Sequence, residues 1–138
     1  MVSLVRYLLD THAWLWAVLG HTRLSMAARR ALAGVKNEHV GLAAISLKEA
    51  AWLLARGGVV VTTPGVSWSS WLREAATASG LEVLPLTVDV AIESEQFPED
   101  FPSDPADRLI AATARVYDLT LLTADAALRG WPGVRTVW

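Results

Sequence analysis

Short apolar segments alternate with longer segments of helical pattern along this chain of 138 residues. The apolar segments have the length of buried strands, and the segments between them repeat their apolar residues at helical spacing. Parallel strands are joined by crossovers that are usually helices, so the alternation predicts a parallel sheet with helices on both faces. We expect an α/β fold, a three-layer α/β/α sandwich around a central parallel sheet of four to five strands.

Element boundaries follow from the apolar runs, from Gly and Pro, and from capping residues. The predicted strands cover residues 4–9, 40–44, 82–86, 120–123 and, as an edge strand, 134–137. The predicted helices cover residues 11–19, 24–32, 46–56, 67–79, 87–97, a stretch that begins at Pro105, and 124–129. Residues 59–63 are β-branched and fit either a strand or an extended connector.

The composition indicates a globular domain with its own core, which we place at residues 1–138. Hydrophobic residues make up 53% of the chain, enough for such a core. The sequence contains no run of about 18 apolar residues, so we predict no membrane span. The N-terminus lacks the basic start and cleavage site of a secretion signal. The chain has no cysteine, which excludes disulfides and Cys-ligated zinc and is typical of a cytoplasmic protein.

The charge balance bears on nucleic-acid binding. With 12 basic and 14 acidic residues, the net charge of −2 offers no general attraction to nucleic acid. This argues against a passive nucleic-acid binder. It argues less against an enzyme whose carboxylates hold divalent cations, because bound cations would reverse the sign of the charge.

The segment FPSDPADRLIAATA, residues 101–114, combines a helix start with two carboxylates and an arginine. Pro105 suits the first helical position, where its missing N–H is no loss, and Asp104 before it can cap the exposed N–H groups. Asp107 then lies in the first turn, at the positive end of the helix dipole. By itself, the segment is equally consistent with an ordinary helix start.

Five acidic residues fall near junctions between strands and helices. Asp10 and Asp125 follow predicted strands, Glu49 lies in the helix after the second strand, and Asp104 and Asp107 open the helix that leads to the fourth strand. The carboxyl ends of parallel strands share one edge of a sheet, and ligands bind at that edge. We therefore expect these five carboxylates to lie near one another.

Each acid also has a structural explanation. Asp10 and Asp125 could merely cap helices, and Glu49 could complete a capping box with Ser46. The joint pattern favours a site, because clustered carboxylates would repel one another and raise their pKa values. Divalent cations remove that repulsion, and they prefer oxygen ligands that converge from several directions.

The segments LLDTHAWLW, ISLKEAAWLL, DPADRLIAATA and LLTAD together resemble the PIN-domain nucleases, in particular the VapC-type toxins of bacterial toxin–antitoxin pairs. The resemblance covers nearly the whole chain. It implies a PIN-like fold and a Mg²⁺- or Mn²⁺-dependent ribonuclease, in which a metal-activated water attacks the RNA phosphodiester in line without a covalent enzyme intermediate. It also implies a cognate antitoxin and a homodimer.

By position, the resemblance assigns roles to individual residues. The acidic quartet that serves in catalysis and metal binding corresponds to Asp10, Glu49, Asp107 and Asp125. Asp104 matches an additional acid, which we expect to be a metal ligand, and Thr11 and Thr123 match hydroxyl residues beside the metal. Arg108 matches an arginine that either pairs with an acid or contacts phosphate. Glu38 is an alternative for the glutamate of the quartet.

Two other functions stay open. A small Mg²⁺-dependent phosphatase would use Asp10 as its nucleophile, but that chemistry expects a second Asp at position 12, which is His12. A non-enzymatic binding or signalling domain would use the same acids to hold a structural ion. Fold analogy does not separate these functions, whereas the placement of the acids favours the nuclease.

Aromatic and basic residues outside the acidic set suggest contacts with partners. Trp14 and Trp16 lie two residues apart on a predicted helix and cannot share one face, so we expect at least one to meet a groove or a partner such as the antitoxin. Arg23, Arg29 and Arg30 are expected to lie on a solvated helix face, with contact to the RNA backbone as the alternative.

Overall fold

The computed structural model describes residues 4–78 and 80–138, except for the side chain of Ala78. The strands are β1 (Tyr7–Leu9), β2 (Val40–Ala43), β3 (Glu82–Leu84), β4 (Thr120–Leu122) and β5 (Thr136–Val137). The helices are α1 (Thr11–Leu19), α2 (Met26–Ala33), α3 (Ala44–Ala55), α4 (Trp68–Ala78), α5 (Val88–Glu95), α6 (Pro105–Val116) and α7 (Ala126–Arg129). None of the helices in this described part has the length and apolar character needed to cross a bilayer.

The five strands form one parallel sheet in the order β3-β2-β1-β4-β5. The chain adds β2 and β3 on one side of β1 and then returns to add β4 and β5 on the other side. Strand order therefore reverses between β1 and β4, the kind of position where ligands bind in such sheets. Leu9 pairs with Leu122 at the ends of these two strands, so the residues that follow them lie side by side.

Successive residues of the central strands face opposite helical layers. Leu8 and Leu121 pack with buried residues of α5, α6 and α7, whereas Leu9 and Leu122 pack with buried residues of α1 to α4. Burial on both faces explains why these strands are almost entirely apolar. The predicted three-layer α/β/α sandwich is confirmed.

Three helices start two residues away from their predicted positions. Helices α2 and α7 begin later, after Ser25 and Asp125 as N-caps, and α3 begins earlier. The helix predicted at 46–56 begins two residues earlier, at Ala44, with Ala43 at its N-cap and no side-chain cap hydrogen bond. Ser46 is fully buried inside this helix, so the capping box of Ser46 and Glu49 is wrong. The Ser46 hydroxyl instead lies against the hydroxyl of Thr11 from α1.

The remaining differences concern lengths. The strands are shorter than predicted, because the paired segments span only two to four residues each. Residues 59–63 belong to no strand and form a connector between α3 and α4. The predicted helix at 67–79 corresponds to α4, and Ser79 lies outside the described residues.

Close packing leaves no room for a side chain at Gly41 in β2. A β-carbon there would lie 2.9 Å from Cγ1 of Val5 and 3.2 Å from Cδ1 of Leu84. The glycine thus lets β2 approach its neighbours within the sheet core.

Candidate active site

Two aspartates follow the neighbouring strands β1 and β4. Asp10 follows β1 directly and caps α1, with its Oδ1 accepting a hydrogen bond from the backbone N–H of Ala13 at 2.8 Å. The backbone N–H of Asp10 donates to the carbonyl oxygen of Leu122, at the end of β4, over 3.1 Å. Asp125 caps α7, and its Oδ1 accepts from two backbone N–H groups of that helix. Each aspartate is therefore fixed by a helix start.

The start of α6 supplies two further aspartates, as the sequence predicts. Asp104 is the N-cap, and its Oδ1 accepts from the backbone N–H groups of Ala106 at 2.8 Å and Asp107 at 3.1 Å. Pro105 occupies the first turn. Asp104 is exposed, whereas Asp107 is half-buried.

Glu49 comes from α3 and is oriented from α1. The hydroxyl of Thr11 donates to Oε1 of Glu49 at 2.6 Å and lies 3.0 Å from Oγ of Ser46. A hydroxyl has one proton, and the carboxylate is the stronger acceptor, so we assign the donation to Glu49. Thr11 and Ser46 are both buried, which restricts the positions open to the Glu49 carboxylate.

Thr123 links Asp125 to Asp10. Its Oγ1 accepts a hydrogen bond from the backbone N–H of Asp125 at 3.0 Å, and its side chain is hydrogen-bonded to the carboxylate of Asp10. Thr123 is fully buried. Because a hydroxyl can accept one hydrogen bond and donate another, it couples the residues after β4 to the residue after β1.

Burial and mutual repulsion perturb the ionisation of these acids. The pKa of Asp107 is raised from 3.8 to about 7, first by burial and then by the charges of Asp104, Asp125, Glu49 and Asp10. The pKa of Asp10 is also raised, mainly by burial. The structure therefore brings all five predicted acids within electrostatic reach of one another.

The donor set fits a hard divalent cation. Five carboxylates approach from the starts of α1, α6 and α7 and from α3, and carboxylate oxygens are the ligands that Mg²⁺ and Mn²⁺ prefer. In Asp10, Asp104 and Asp125, the recorded cap hydrogen bonds all go to Oδ1, so capping does not use the second oxygen. As they stand, no three Asp, Glu or His side chains of the described residues are grouped closely enough to hold an ion, so the fit rests on the chemistry of the donor set.

Arg108 has a structural role. Its guanidinium donates to the carbonyl oxygens of Ser94 at 3.4 Å and Phe101 at 3.3 Å, and it lies 5.6 Å from the centre of the Phe101 ring. In the described part of the chain it forms no recorded ion pair with an acid. Arg108 thus fastens the loop between α5 and α6, the loop that presents Asp104.

The alternative glutamate is remote from the acids. Glu38 lies in a 3-10 turn, Asn37–His39, which precedes β2 and therefore lies at the opposite edge of the sheet. Its carboxylate approaches His39 at 3.9 Å. Glu49 is therefore the glutamate of the acidic edge.

The two tryptophans of α1 have different surroundings. Trp14 is fully buried in the core, whereas Trp16 is half-buried among other aromatic rings. Sequence reasoning missed the aromatic cluster around Trp16 and the contact of Ser46 with Thr11. The spacing of four residues between His12 and Trp16 was the available signal for the cluster, since such residues share a helix face.

Sequence comparisons match most of the chain to known proteins. Residues 7–131 match the PIN domain family. Ribonuclease VapC22 of Mycobacterium tuberculosis is 38% identical over 133 residues, which cover 95% of this chain and 97% of that protein.

Solved structures share the fold at low sequence identity. One is VapBC2 from Rickettsia felis bound to a DNA fragment from its promoter, with a TM-score of 0.69 at 14% identity. The match covers 96% of this chain and 98% of that chain. DNA-bound VapBC from Salmonella typhimurium has a TM-score of 0.68 at 21% identity, with 96% and 97% covered.

Proposed function

This chain belongs to the PIN-domain family, and from that premise we propose that it is a VapC-type ribonuclease, the toxin of a toxin–antitoxin pair. The observation that carries the proposal is the gathering of carboxylates from four helices at one edge of the sheet, where burial and then their mutual repulsion raise the pKa of Asp107 to about 7. Perturbed carboxylates gathered at the switch point of a parallel sheet mark a functional site.

We assign catalysis and metal binding to Asp10, Glu49, Asp107 and Asp125. Asp104 is proposed as a further ligand, with Thr11 and Thr123 as supporting residues. Mg²⁺ or Mn²⁺, when bound, would neutralise these carboxylates and lower the pKa of a water that attacks the phosphodiester.

The residues of the chain prepare the site for that reaction. Thr11 holds Glu49 and Thr123 holds Asp10, so both carboxylates keep their orientation when a negatively charged phosphodiester approaches. Hydrolysis requires a group that accepts the proton of the attacking water. One of the carboxylates of the site would accept that proton as the water attacks.

The proposal includes a cognate antitoxin, a homodimer and action in the cytoplasm, where its RNA substrate is found. Support for partners comes from the VapBC assemblies that share this fold. An exposed apolar surface also supports a protein partner. Val88 and Ile92 lie four residues apart on one face of α5, and their exposed fractions are 75% and 50%.

The test uses purified chain without antitoxin and end-labelled total RNA, incubated with Mg²⁺, with Mn²⁺ or with EDTA. Discrete fragments are expected with metal only, and Asp107→Asn should abolish them. Asp118→Asn is the matched control, since Asp118 is exposed, lies before β4 at the opposite edge and pairs with Arg135 at 2.9 Å.

The outcomes separate the candidate functions. Cleavage that persists unchanged in folded Asp107→Asn would contradict the assigned site. Hydrolysis of a small phosphomonoester without RNA cleavage would favour the phosphatase. A folded chain that binds Mg²⁺ and hydrolyses neither would favour a binding domain with a structural ion.

A further inference from the structure

Trp16 lies at the centre of a half-exposed aromatic cluster. Its ring centroid is 5.5 Å from that of His12, 6.1 Å from that of His21 and 5.8 Å from that of Trp138. The guanidinium carbon of Arg23 lies 5.9 Å from the centre of the Trp16 ring. We call these five residues the Trp16 platform.

Hydrogen bonds hold the loop that forms one side of the platform. The backbone N–H of His21 donates to the carbonyl oxygen of Trp16 at 2.8 Å. Arg29 donates to the carbonyl oxygens of Leu24 at 2.9 Å and His21 at 3.0 Å, which braces the segment that carries Arg23. Arg29 therefore has a structural contact as well as an exposed position, and the platform is organised before any ligand binds.

The platform adjoins the acidic edge. His12 is the second residue of α1, the helix that Asp10 caps. His12 and Trp16 share one face of α1, so the platform extends from the acids along this helix. Trp138 follows β5 and thus lies at the same carboxyl edge of the parallel sheet.

Aromatic faces beside a free cation form a surface that suits unpaired nucleic acid. Every base has a face that can stack on an aromatic ring, and a neighbouring arginine can meet the phosphates. Arg23 is exposed and has no recorded ion pair with an acid in the described structure. An apolar protein segment on this surface would take Arg23 out of water without compensating its charge, whereas RNA supplies both a base and a phosphate.

We propose that the Trp16 platform stacks an unpaired base of the RNA next to the phosphodiester that is cut. This inference rests on the proposed ribonuclease function and deepens it, because it assigns a subsite for one base of the substrate to residues outside the acidic set.

The test measures binding without cleavage, by fluorescence anisotropy on chains that carry Asp107→Asn. The probes are a fluorescein-labelled single-stranded oligoadenylate and an oligomer of equal length whose central nucleotides are abasic, which keeps the phosphates and removes the bases. The intact probe should bind more tightly. Trp16→Ala should weaken its binding by about tenfold, within the range known for base–aromatic stacking, and leave the abasic probe unaffected.

Two further variants keep the test decisive if Trp16→Ala does not fold, which thermal unfolding would show. Trp16→Phe retains an aromatic face and should retain most of the difference between the two probes. Arg23→Gln alters an exposed side chain and should weaken both probes alike, with a smaller dependence on salt.

Trp52→Ala is the matched control. Trp52 is 48% exposed and has the guanidinium of Arg56 at 4.7 Å from its ring centre. It lies three residues after Glu49 on α3, but no second aromatic ring contacts it in the described structure. Trp52→Ala should leave the difference in affinity between the two probes unchanged. The inference is overturned if Trp16→Ala and Trp52→Ala lose this difference in affinity equally, or if folded Trp16→Ala keeps it. In either case, weaker binding of Trp16→Ala to its antitoxin would assign the platform to protein docking.

The cleavage assay on total RNA distinguishes failure of this inference from failure of the proposed function. Cleavage of RNA by the wild-type chain, together with equal binding of both probes by the Asp107→Asn chain, would refute the stacking platform alone. A chain that prefers the intact probe through Trp16 but cleaves no RNA would refute the ribonuclease and leave the platform in place.

Discussion

Replacing Asp107 by Asn should stabilise the metal-free protein although it should abolish RNA cleavage. Burial and then neighbouring carboxylates, Asp104 first, raise the pKa of Asp107 from 3.8 to about 7. Folding at higher pH must therefore accommodate a charge that its surroundings disfavour. Asn has nearly the same shape without the charge, so the substitution removes this unfavourable contribution.

The magnitude follows from the pKa shift. One pKa unit corresponds to about 1.4 kcal/mol, so the change from 3.8 to about 7 sets an upper limit near 4 kcal/mol. Asp107 is only half-buried, and solvent screening reduces the effect to about 1–2 kcal/mol. Asn also loses a favourable interaction with the helix dipole, about 0.3–1 kcal/mol. The net gain should be about 1 kcal/mol, or roughly 3–4 °C in Tm for a chain of this size.

The stability gained through Asp107→Asn should increase with pH. The folded-state pKa of Asp107 lies above its unfolded value, so proton uptake favours the folded wild-type chain. This contribution is fully present below about pH 4 and is lost as the pH rises through about 7. Asn does not titrate, and the advantage of Asp107→Asn should therefore be largest near pH 8 and shrink toward pH 5.

Urea unfolding in EDTA at about pH 8 and pH 5 measures these differences in free energy. Asp118→Asn is again the control, since Asp118 adopts a φ of 56°, which Asn tolerates. Lower stability of Asp107→Asn at pH 8, or an equal gain in the control, would refute the argument from repulsion. Added Mg²⁺ should reverse the order, because an ion that binds the folded wild-type site stabilises it by mass action.

Substitutions at three further positions test other contacts. Thr11→Val removes the hydroxyl that donates to Glu49 at 2.6 Å; it should lower the free energy of unfolding by about 1–3 kcal/mol and slow RNA cleavage. Gly41→Ala places a β-carbon 2.9 Å from a valine methyl; calorimetry should show a loss of about 1–3 kcal/mol, with cleavage per folded molecule unchanged. Asp104→Ala should lose the cap of α6, about 1 kcal/mol, whereas Asp104→Asn should keep it and lower the pKa of Asp107, as followed by NMR titration.

The sequence predicted those elements whose signals are local. Asp104 and Pro105 indicated the start of α6 because capping and the fixed φ of proline act within one turn, and the structure places both as predicted. Helix α1 matches its predicted range, since Asp10 caps it and Gly20 ends it in the left-handed conformation at φ 65°. The gathering of the acids followed from the topology of parallel strands rather than from any one residue.

Features that depend on tertiary contacts were not predictable to the same extent. Ser46 precedes Glu49 by three residues, and this spacing fits a capping box as well as two side chains on one helix face. Only the approach of Thr11 from another helix distinguishes the two. Likewise, helical periodicity separates Trp14 from Trp16 but does not say which faces the core, since the neighbouring helices decide that.

Helix capping and metal binding compete as explanations of the aspartates in the sequence, but they are compatible in the structure. The cap hydrogen bonds of Asp10, Asp104 and Asp125 use Oδ1, and the positive ends of three helices offset part of the repulsion among the acids. Asp107 caps no helix in the described structure, and burial and then the charges of the other four carboxylates raise its pKa. A bound cation or proton therefore relieves the most repulsion at Asp107, which makes this residue the one where stability and catalysis should oppose each other most directly.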